Sequence, residues 1–237
     1  MRLDALVAKS GLAESRERAQ ALILAGKVRV AGETIRKPDR SVSEDAPISV
    51  EAAPSYASRG ALKLGPALEH FGVDPSGRVC ADIGASTGGF TDVLLRRGAA
   101  RVYAIDVGRG LLHWRLRSDP RVVVIERVNA RELESFPEPV SLIVVDVSFI
   151  GLEKVLPALR AAGPEAEVVA LFKPQFQVGR TEVGKGGIVR DREAVEAALE
   201  RLRAWCAANG YSVQGEAPSE LTGAEGNQEI FLHLMPE

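Results

Sequence analysis

Residues 79–91 read VCADIGASTGGFT, a short apolar stretch that runs into a turn with three glycines. The apolar residues predict a buried strand, and the glycines let the backbone approach a ligand before a helix begins near Phe90. A second apolar stretch, residues 101–105, begins about 20 residues further on and is followed by Asp106. An acid after this second strand typically accepts hydrogen bonds from ribose hydroxyls. The segment therefore predicts a βαβ unit that binds an adenosine-containing cofactor.

The glycine turn differs from the common phosphate-binding loops. A Walker loop would continue with Lys-Ser/Thr, and a dinucleotide fingerprint would have a third glycine in phase. Asp82 precedes the first glycine and suits the ammonium of S-adenosylmethionine, whose carboxylate suits the turn amides. We therefore predict S-adenosylmethionine as cofactor and no metal. The predicted cofactor-binding residues are Asp82, Gly84, Ser86, Thr87, Gly88, Gly89, Phe90, Asp106, Asn129 and Asp146.

Two of these assignments have plain structural alternatives. An acid placed like Asp82 can serve only to cap the following helix. Asn129 follows the predicted strand at residues 122–126, where asparagine is common simply as a turn former.

The composition is that of a folded protein of ordinary polarity. The 237 residues are 46% hydrophobic and 26% charged, with a net charge of −2, so no global basic field points to nucleic acid. Two isolated cysteines give neither a disulfide framework nor a zinc-binding pattern. Because no stretch resembles a signal peptide or a membrane span, we expect a cytoplasmic protein without a membrane partner. The sequence predicts no oligomeric state.

From residue 56 onward, predicted strands and helices alternate. Further strands are expected at residues 122–126, 142–146, 168–172, 211–214 and 229–234, with helices at 60–71 and from Asp191. This alternation predicts an α/β fold with a mostly parallel, Rossmann-like sheet and helices on both faces. Residues 1–50 predict a separate, small α+β module with two short helices and a hairpin. The predicted domains are 1–50 and 59–237, joined by a linker at 51–58.

The first module carries an excess of basic residues. Residues 1–50 hold nine Lys/Arg and seven Asp/Glu. The stretches 2–4 (RLD), 15–19 (SRERA) and 26–30 (GKVRV) resemble the S4-type RNA-binding module. This resemblance implies structured RNA as partner, recognised through its shape and backbone. The candidate RNA-binding residues are Arg2, Arg16, Arg18, Lys27, Arg29, Arg36, Lys37 and Arg59. A solvated surface with interleaved acids is the alternative interpretation of these charges.

Charged residues also follow the predicted strands of the second domain, at the sheet edge where doubly wound folds bind ligands. Asp146 and Lys173 end neighbouring strands, and a lysine beside five apolar residues is costly to bury unless it is paired. Lys63 precedes the first strand and Glu229 opens the last. Taken singly, Lys63 fits a solvated helix residue and Glu229 a strand-edge charge. Together, Lys63, Asp146, Lys173 and Glu229 resemble the tetrad of FtsJ-type ribose 2′-O-methyltransferases, which makes them the candidate catalytic residues.

Over nearly its whole length the chain resembles the hemolysin A (TlyA) family. The resemblance rests on residues 85–91 (ASTGGFT), 146–150 (DVSFI), 173–176 (KPQF) and 186–191 (GGIVRD). It implies S-adenosylmethionine-dependent 2′-O-methylation of cytidine in ribosomal RNA, with ribosomal RNA or subunits as partner. The large-subunit (23S) RNA is the first expected substrate and the small-subunit (16S) RNA the second. The chain's end at Glu237 favours the shorter members of the family, which act on the large subunit.

Three other functions stay open. A methyltransferase acting on base amines usually has Asn/Asp-Pro-Pro-aromatic where residues 146–149 read DVSF, and one acting on small molecules would have little use for the first module. A non-catalytic ribosome assembly factor would bind RNA without needing the tetrad. A membrane-active hemolysin, as the family name suggests, would need a membrane span or a strongly amphipathic basic helix.

Overall fold

The computed structural model describes residues 1–13, 15–50 and 56–237. Residues 51–55 of the predicted linker lie outside the described residues. The chain forms two compact units, Met1–Ser55 and Tyr56–Glu237. Each unit buries its own set of apolar side chains.

The first unit packs two helices against a small antiparallel sheet. Its elements are α1 (Leu3–Lys9), α2 (Arg16–Leu24), β1 (Val28–Val30), β2 (Glu33–Ile35) and β3 (Ile48–Val50), with strand order β2-β1-β3. Ser15 begins α2 by accepting a hydrogen bond from the Arg18 amide. Ala31 and Gly32 both adopt positive φ angles, 48° and 84°, as a tight hairpin turn requires.

The second unit is built on a seven-stranded sheet. Its strands are β4 (Val79–Ile83), β5 (Arg101–Asp106), β6 (Val122–Glu126), β7 (Leu142–Val145), β8 (Glu167–Phe172), β9 (Tyr211–Pro218) and β10 (Ile230–Pro236). The strand order is β6-β5-β4-β7-β8-β10-β9. Strands β4 to β8 pair in parallel, whereas β10 is antiparallel to both of its neighbours. The prediction of a mostly parallel sheet is confirmed.

Helices cover both faces of this sheet. They are α3 (Ala61–Phe71), α4 (Gly89–Arg96), α5 (Trp114–Arg117), α6 (Leu156–Ala162), α7 (Pro174–Gln177) and α8 (Arg192–Ala208). Side chains alternate along a strand, so Leu142 and Val144 join a core with α3 and α4. Ile143 and Val145 join the opposite core, with α6 and α8. Asp191 caps α8 by accepting hydrogen bonds from the amides of Glu193 and Ala194.

Several predicted strand boundaries shift in the structure, among them three in β9, β10 and β7. β9 continues to Pro218 rather than ending at residue 214, because its pairing with β10 recruits even the poor strand formers Gly215 and Pro218. β10 begins at Ile230, so Glu229 lies in the preceding loop instead of opening the strand. β7 ends at Val145, which leaves Asp146 just beyond its carboxyl end.

No helix in the described parts of the chain is both long enough and apolar enough to cross a membrane.

Candidate active site

The glycine turn between β4 and α4 is held tightly by its neighbours. The amides of Gly84 and Ala85 both donate to the carbonyl of Ile105, at 2.8 and 3.1 Å. Gly84 adopts a φ of +83°, and a Cβ atom there would overlap the carbonyl oxygen of Asp146. Only glycine fits this close approach of two backbones, which brings the turn against the end of β7.

Replacing Gly84 with alanine should therefore destabilise the second unit. The added methyl meets backbone rather than a flexible side chain, so we expect a loss of about 3 kcal/mol or more. Gly110→Ala is the matched control, because its φ is +69° and no described atom would lie within 4 Å of the new Cβ. That variant should lose only about 1–2 kcal/mol from left-handed strain. Urea unfolding of both variants measures the difference, and equal losses would contradict the role of the close approach.

Asp82 is the second-last residue of β4, and its side chain is completely buried. Its Oδ2 accepts hydrogen bonds from the amide and the hydroxyl of Thr91, at 2.8 and 2.6 Å, so it does hold the first turn of α4. Its Oδ1 has no hydrogen-bond partner in the described chain, although the residue lines a cavity of approximately 820 Å³. Burial raises the pKa of Asp82 to about 7, and the carboxylates of Asp146 and Asp106 add to the rise. An orphaned carboxylate oxygen of this kind fits a ligand cation.

Asp106 and Asn129 line a second cavity, of approximately 700 Å³. The carboxylate of Asp106 accepts hydrogen bonds from the amides of Ser86 and Gly108, at 2.8 and 2.7 Å. Asn129 caps the short 3₁₀ helix Ala130–Glu132 by accepting from the Arg131 amide at 3.2 Å. It therefore acts as a local cap and also faces the cavity.

The two cavities adjoin, because three predicted cofactor residues belong to both. The shared residues are Gly84, Ser86 and Asp146, while Asp82, Thr87, Gly89 and Phe90 line the first cavity only. Gly88 lies beneath the turn, where a Cβ would overlap Leu116 and lie 2.7 Å from a methyl of Leu112. Its contribution is thus to the packing of the turn and not to a cavity wall.

Lys173 and Asp146 form the expected ion pair at the ends of β8 and β7. The Lys173 Nζ lies 2.6 Å from Asp146 Oδ1 and donates a hydrogen bond to Ser148 Oγ at 3.1 Å. Both side chains are mostly buried, with 11% of Lys173 and 24% of Asp146 exposed. Asp146 lines both cavities, whereas Lys173 is among the lining residues of neither and reaches the site through its ion pair with Asp146.

Lys63 and Glu229 form a second ion pair, at 2.5 Å. Lys63 comes from α3 and Glu229 from the loop before β10, and 3% of the Glu229 side chain is exposed. Lys63 is therefore not a solvated helix residue, and Glu229 is not a charge at a strand edge. Lys63 lines the first cavity together with Asp146, so one member of each ion pair lies at the same cavity.

The loop between β9 and β10 is a wall of the first cavity that the sequence analysis did not identify. Residues 221–226 line this cavity, and Gly223 lies so close to Glu229 that a Cβ would be 2.6 Å from its Oε1. Asn227 is almost fully buried and joins this loop to the segment after Lys173. Its Oδ1 accepts from the Val189 amide at 2.8 Å, and its Nδ2 donates to the Gly187 carbonyl at 2.7 Å. No local sequence pattern marks such an asparagine.

An aromatic pair at the rim of the second cavity was also missed as a site feature. Phe149 is 90% exposed, has a φ of +65°, and lies 5.1 Å from Phe176 between ring centroids. Both residues occur in the motifs that carry the family resemblance, but the exposure and the left-handed backbone of Phe149 are visible only in the folded chain.

The candidate RNA-binding residues fall into three groups. Arg59 is exposed and lines the first cavity of the second unit. In the first unit, Arg2 and Arg16 form ion pairs with Asp4. Lys27 is half-buried, and the exposed residues are Arg18, Arg29, Arg36 and Lys37.

The described ranges contain no group of His, Cys, Asp and Glu side chains arranged to hold a metal ion.

Comparison with known proteins identifies both units. Residues 56–235 match the FtsJ-like methyltransferase family, and residues 1–48 match the S4 domain. The 16S/23S rRNA (cytidine-2′-O)-methyltransferase TlyA of Mycobacterium tuberculosis is 48% identical over 98% of this chain and 89% of its own length. Hemolysin A of Brachyspira hyodysenteriae is 41% identical over 99% of this chain and all of its own.

A solved structure from Streptococcus thermophilus aligns with a TM-score of 0.76 and 42% identity, and it covers all of this chain and 88% of that one. These matches confirm the resemblance on which the sequence analysis relied. The chain belongs to the hemolysin A (TlyA) family, in which an S4 domain precedes an FtsJ-like methyltransferase domain, and it is an enzyme.

Proposed function

We propose that this enzyme transfers a methyl group from S-adenosylmethionine to the ribose 2′-hydroxyl of a cytidine in ribosomal RNA. The large-subunit RNA is the first candidate substrate, and the small-subunit RNA is the second. The observation that carries the proposal is the two ion pairs, Lys173–Asp146 and Lys63–Glu229, whose members Asp146 and Lys63 line the same cavity as the orphaned carboxylate of Asp82. The name of the Mycobacterium tuberculosis relative, which specifies cytidine and both ribosomal RNAs, supports it.

The residues present fit S-adenosylmethionine. Asp82 offers a buried anionic oxygen for the ammonium, and Thr87 and Gly89, which line the same cavity, would offer their backbone amides to the carboxylate. Asp106 would accept the ribose hydroxyls, and Asn129 faces the same cavity for the adenine. When bound, the cofactor supplies an electrophilic methyl group on a positively charged sulfur.

Lys173 is the residue we assign to activation of the nucleophile. A ribose 2′-hydroxyl is a weak nucleophile at neutral pH, and an adjacent ammonium stabilises the alkoxide that develops on it. Asp146 and Ser148 fix the direction of the Lys173 side chain. We assign the hydroxyl proton to Asp146, which lies at the junction of the two cavities. Much of the rate would come from this positioning.

Lys63 and Glu229 would orient the ribose. Lys63 faces the same cavity as Asp146, and the buried carboxylate of Glu229 would hold its ammonium in place. Arg59, exposed at this cavity, would contact the RNA backbone.

We also propose the division of labour within the chain. Residues 1–50 would bind structured ribosomal RNA, residues 51–58 would link the domains, and residues 59–237 would carry out catalysis, in the cytoplasm where ribosomal RNA is found. A non-catalytic assembly factor would have no use for two ion pairs beside a cofactor-sized cavity, and for that reason we do not favour it. A membrane-active hemolysin finds no support in the described helices.

The test is labelled methyl transfer to ribosomal subunits that lack the modification, followed by mass spectrometry of the nucleosides. We expect 2′-O-methylcytidine in large-subunit RNA. Transfer to neither subunit by a protein that binds S-adenosylmethionine would contradict the proposal and favour the assembly factor. A methylated base, with no methylated ribose, would overturn the assignment of the nucleophile.

A further inference from the structure

Asp4 is a fully buried acid in the first unit, with 0% of its side chain exposed. Buried carboxylates are rare unless several donors compensate them. Oδ1 accepts from Arg2 Nε at 3.2 Å and from the Ala5 amide at 2.8 Å. Oδ2 accepts from Arg2 Nη2 at 3.0 Å and Gln20 Nε2 at 2.7 Å, and lies 3.1 Å from Arg16 Nε.

The two arginines reach this carboxylate from the N-terminal ends of two different helices. Arg2 directly precedes α1 and Arg16 is the first residue of α2, yet both contact the same oxygen of Asp4. The hydrogen bonds from Arg2 hold the pKa of Asp4 well below its usual range, so the carboxylate stays charged. The inner edges of the two guanidinium groups are therefore fixed next to each other.

Their outer edges remain available to a ligand. The Arg2 side chain is 48% exposed and that of Arg16 is 54% exposed. A guanidinium carries five N–H donors, of which only those on the inner edge are used by Asp4. Two guanidinium groups around one buried carboxylate leave a net positive charge on these three side chains, and the exposed Asp39 also acts on Arg2.

We propose that Asp4 is a positioning residue that holds the guanidinium groups of Arg2 and Arg16 together as one binding site for an RNA phosphate. This inference rests on the proposed function, which makes RNA the partner of this unit. A phosphate accepts hydrogen bonds from two guanidiniums in the geometry that arginine favours. Because the side chains are already ordered, binding loses less rotamer entropy than it would with two free arginines.

A positioning role for Asp4 can be distinguished from a simple effect of its charge. The two predict opposite changes in RNA affinity when Asp4 is replaced by asparagine. Asp4→Asn removes a negative charge from an RNA-binding surface, so charge alone predicts tighter binding. If Asp4 positions the arginines, the same variant binds RNA more weakly, by about tenfold, because an asparagine cannot hold both guanidinium groups.

The experiment measures binding of the full chain to a large-subunit ribosomal RNA transcript at several salt concentrations between about 50 and 200 mM. Asp39→Asn is the matched control, because Asp39 is an exposed acid whose charge also acts on Arg2. We expect Asp39→Asn to bind at least as tightly as the wild type and Asp4→Asn to bind more weakly at every salt concentration. Asp4→Asn binding as tightly as Asp39→Asn would overturn the inference.

A second variant covers the case in which Asp4→Asn fails to fold, which thermal melting would reveal. Arg16→Lys keeps the charge but replaces a planar fork with a single ammonium, so we expect the same direction of change in RNA affinity. Unchanged affinity in a folded Arg16→Lys protein contradicts the inference. Methyl transfer by the wild-type protein is measured in parallel. If the wild type transfers no methyl group, the result counts against the proposed function. If the wild type is active but Asp4→Asn binds RNA more tightly, the result counts only against the role of Asp4.

Discussion

Replacing Lys173 with methionine should lower the rate of methyl transfer by about 10³-fold, the size of effect seen when one donor to a developing oxyanion is removed. Methionine keeps most of the volume of the side chain and removes the ammonium. Without it, the negative charge that develops on the ribose oxygen faces Asp146 without the ammonium that pairs with this carboxylate. The loss should therefore appear in the chemical step.

Cofactor binding should survive the same change. Lys173 is held by Asp146 and Ser148, whereas the groups assigned to the ammonium and ribose of the cofactor are Asp82 and Asp106. Single-turnover methyl transfer and titration calorimetry with S-adenosylmethionine measure the two effects separately. Lys9→Met is the control, since Lys9 is an exposed lysine of the first unit that pairs only with the exposed Glu44 among the contacts described. Near-wild-type transfer by Lys173→Met would remove Lys173 from the mechanism.

The two ion pairs of the site differ in how far the sequence predicts them. Asp146 and Lys173 each follow an apolar strand, and neighbouring parallel strands place their carboxyl ends together, so this pair follows from local pattern and topology. Lys63 and Glu229 are 166 residues apart, and their contact depends on β10 inserting between β8 and β9. Periodicity along the chain carries no information about that insertion.

The cofactor turn shows the same division between local and tertiary information. The glycines and the two acids at strand ends are legible in the sequence, because each is required by a nearby backbone or ligand contact. Other parts of the site lie in loops whose conformation is set by distant partners. These parts are the cavity wall at residues 221–226, the bridging amide of Asn227 and the exposed ring of Phe149. Loop conformation of this kind has no periodic signal to reveal it.

Replacing Asp82 with asparagine is expected to change how stability depends on pH. Burial raises the pKa of Asp82 to about 7 from its ordinary 3.8. The folded chain without cofactor therefore keeps a proton that the unfolded chain releases as the pH rises through this interval. The free energy of unfolding of the wild type therefore falls, by on the order of 2–4 kcal/mol, as the pH rises between these two pKa values. An asparagine does not titrate, so the variant shows no such fall.

Urea unfolding without cofactor at about pH 5 and pH 8 measures this difference. The asparagine variant should gain stability relative to the wild type as the pH rises, even if its unpaired amide hydrogen lowers stability at both values. Glu165→Gln, which neutralises an exposed acid of the same unit, should follow the wild type. Identical pH dependence for Asp82→Asn and the wild type would show that Asp82 is already charged in the folded chain.

Cofactor binding should respond in the opposite direction. An ammonium ligand needs the charged form of Asp82, so wild-type affinity for S-adenosylmethionine should rise between about pH 6 and pH 8, as the carboxyl releases its proton. Asp82→Asn should bind about 100-fold more weakly at the higher pH, because the buried ammonium has lost its counter-ion. The ionised carboxylate of Asp82 thus lowers the stability of the protein without cofactor and is at the same time the group that binds the cofactor ammonium. Unchanged affinity in Asp82→Asn would show that the orphaned oxygen does not receive the ammonium.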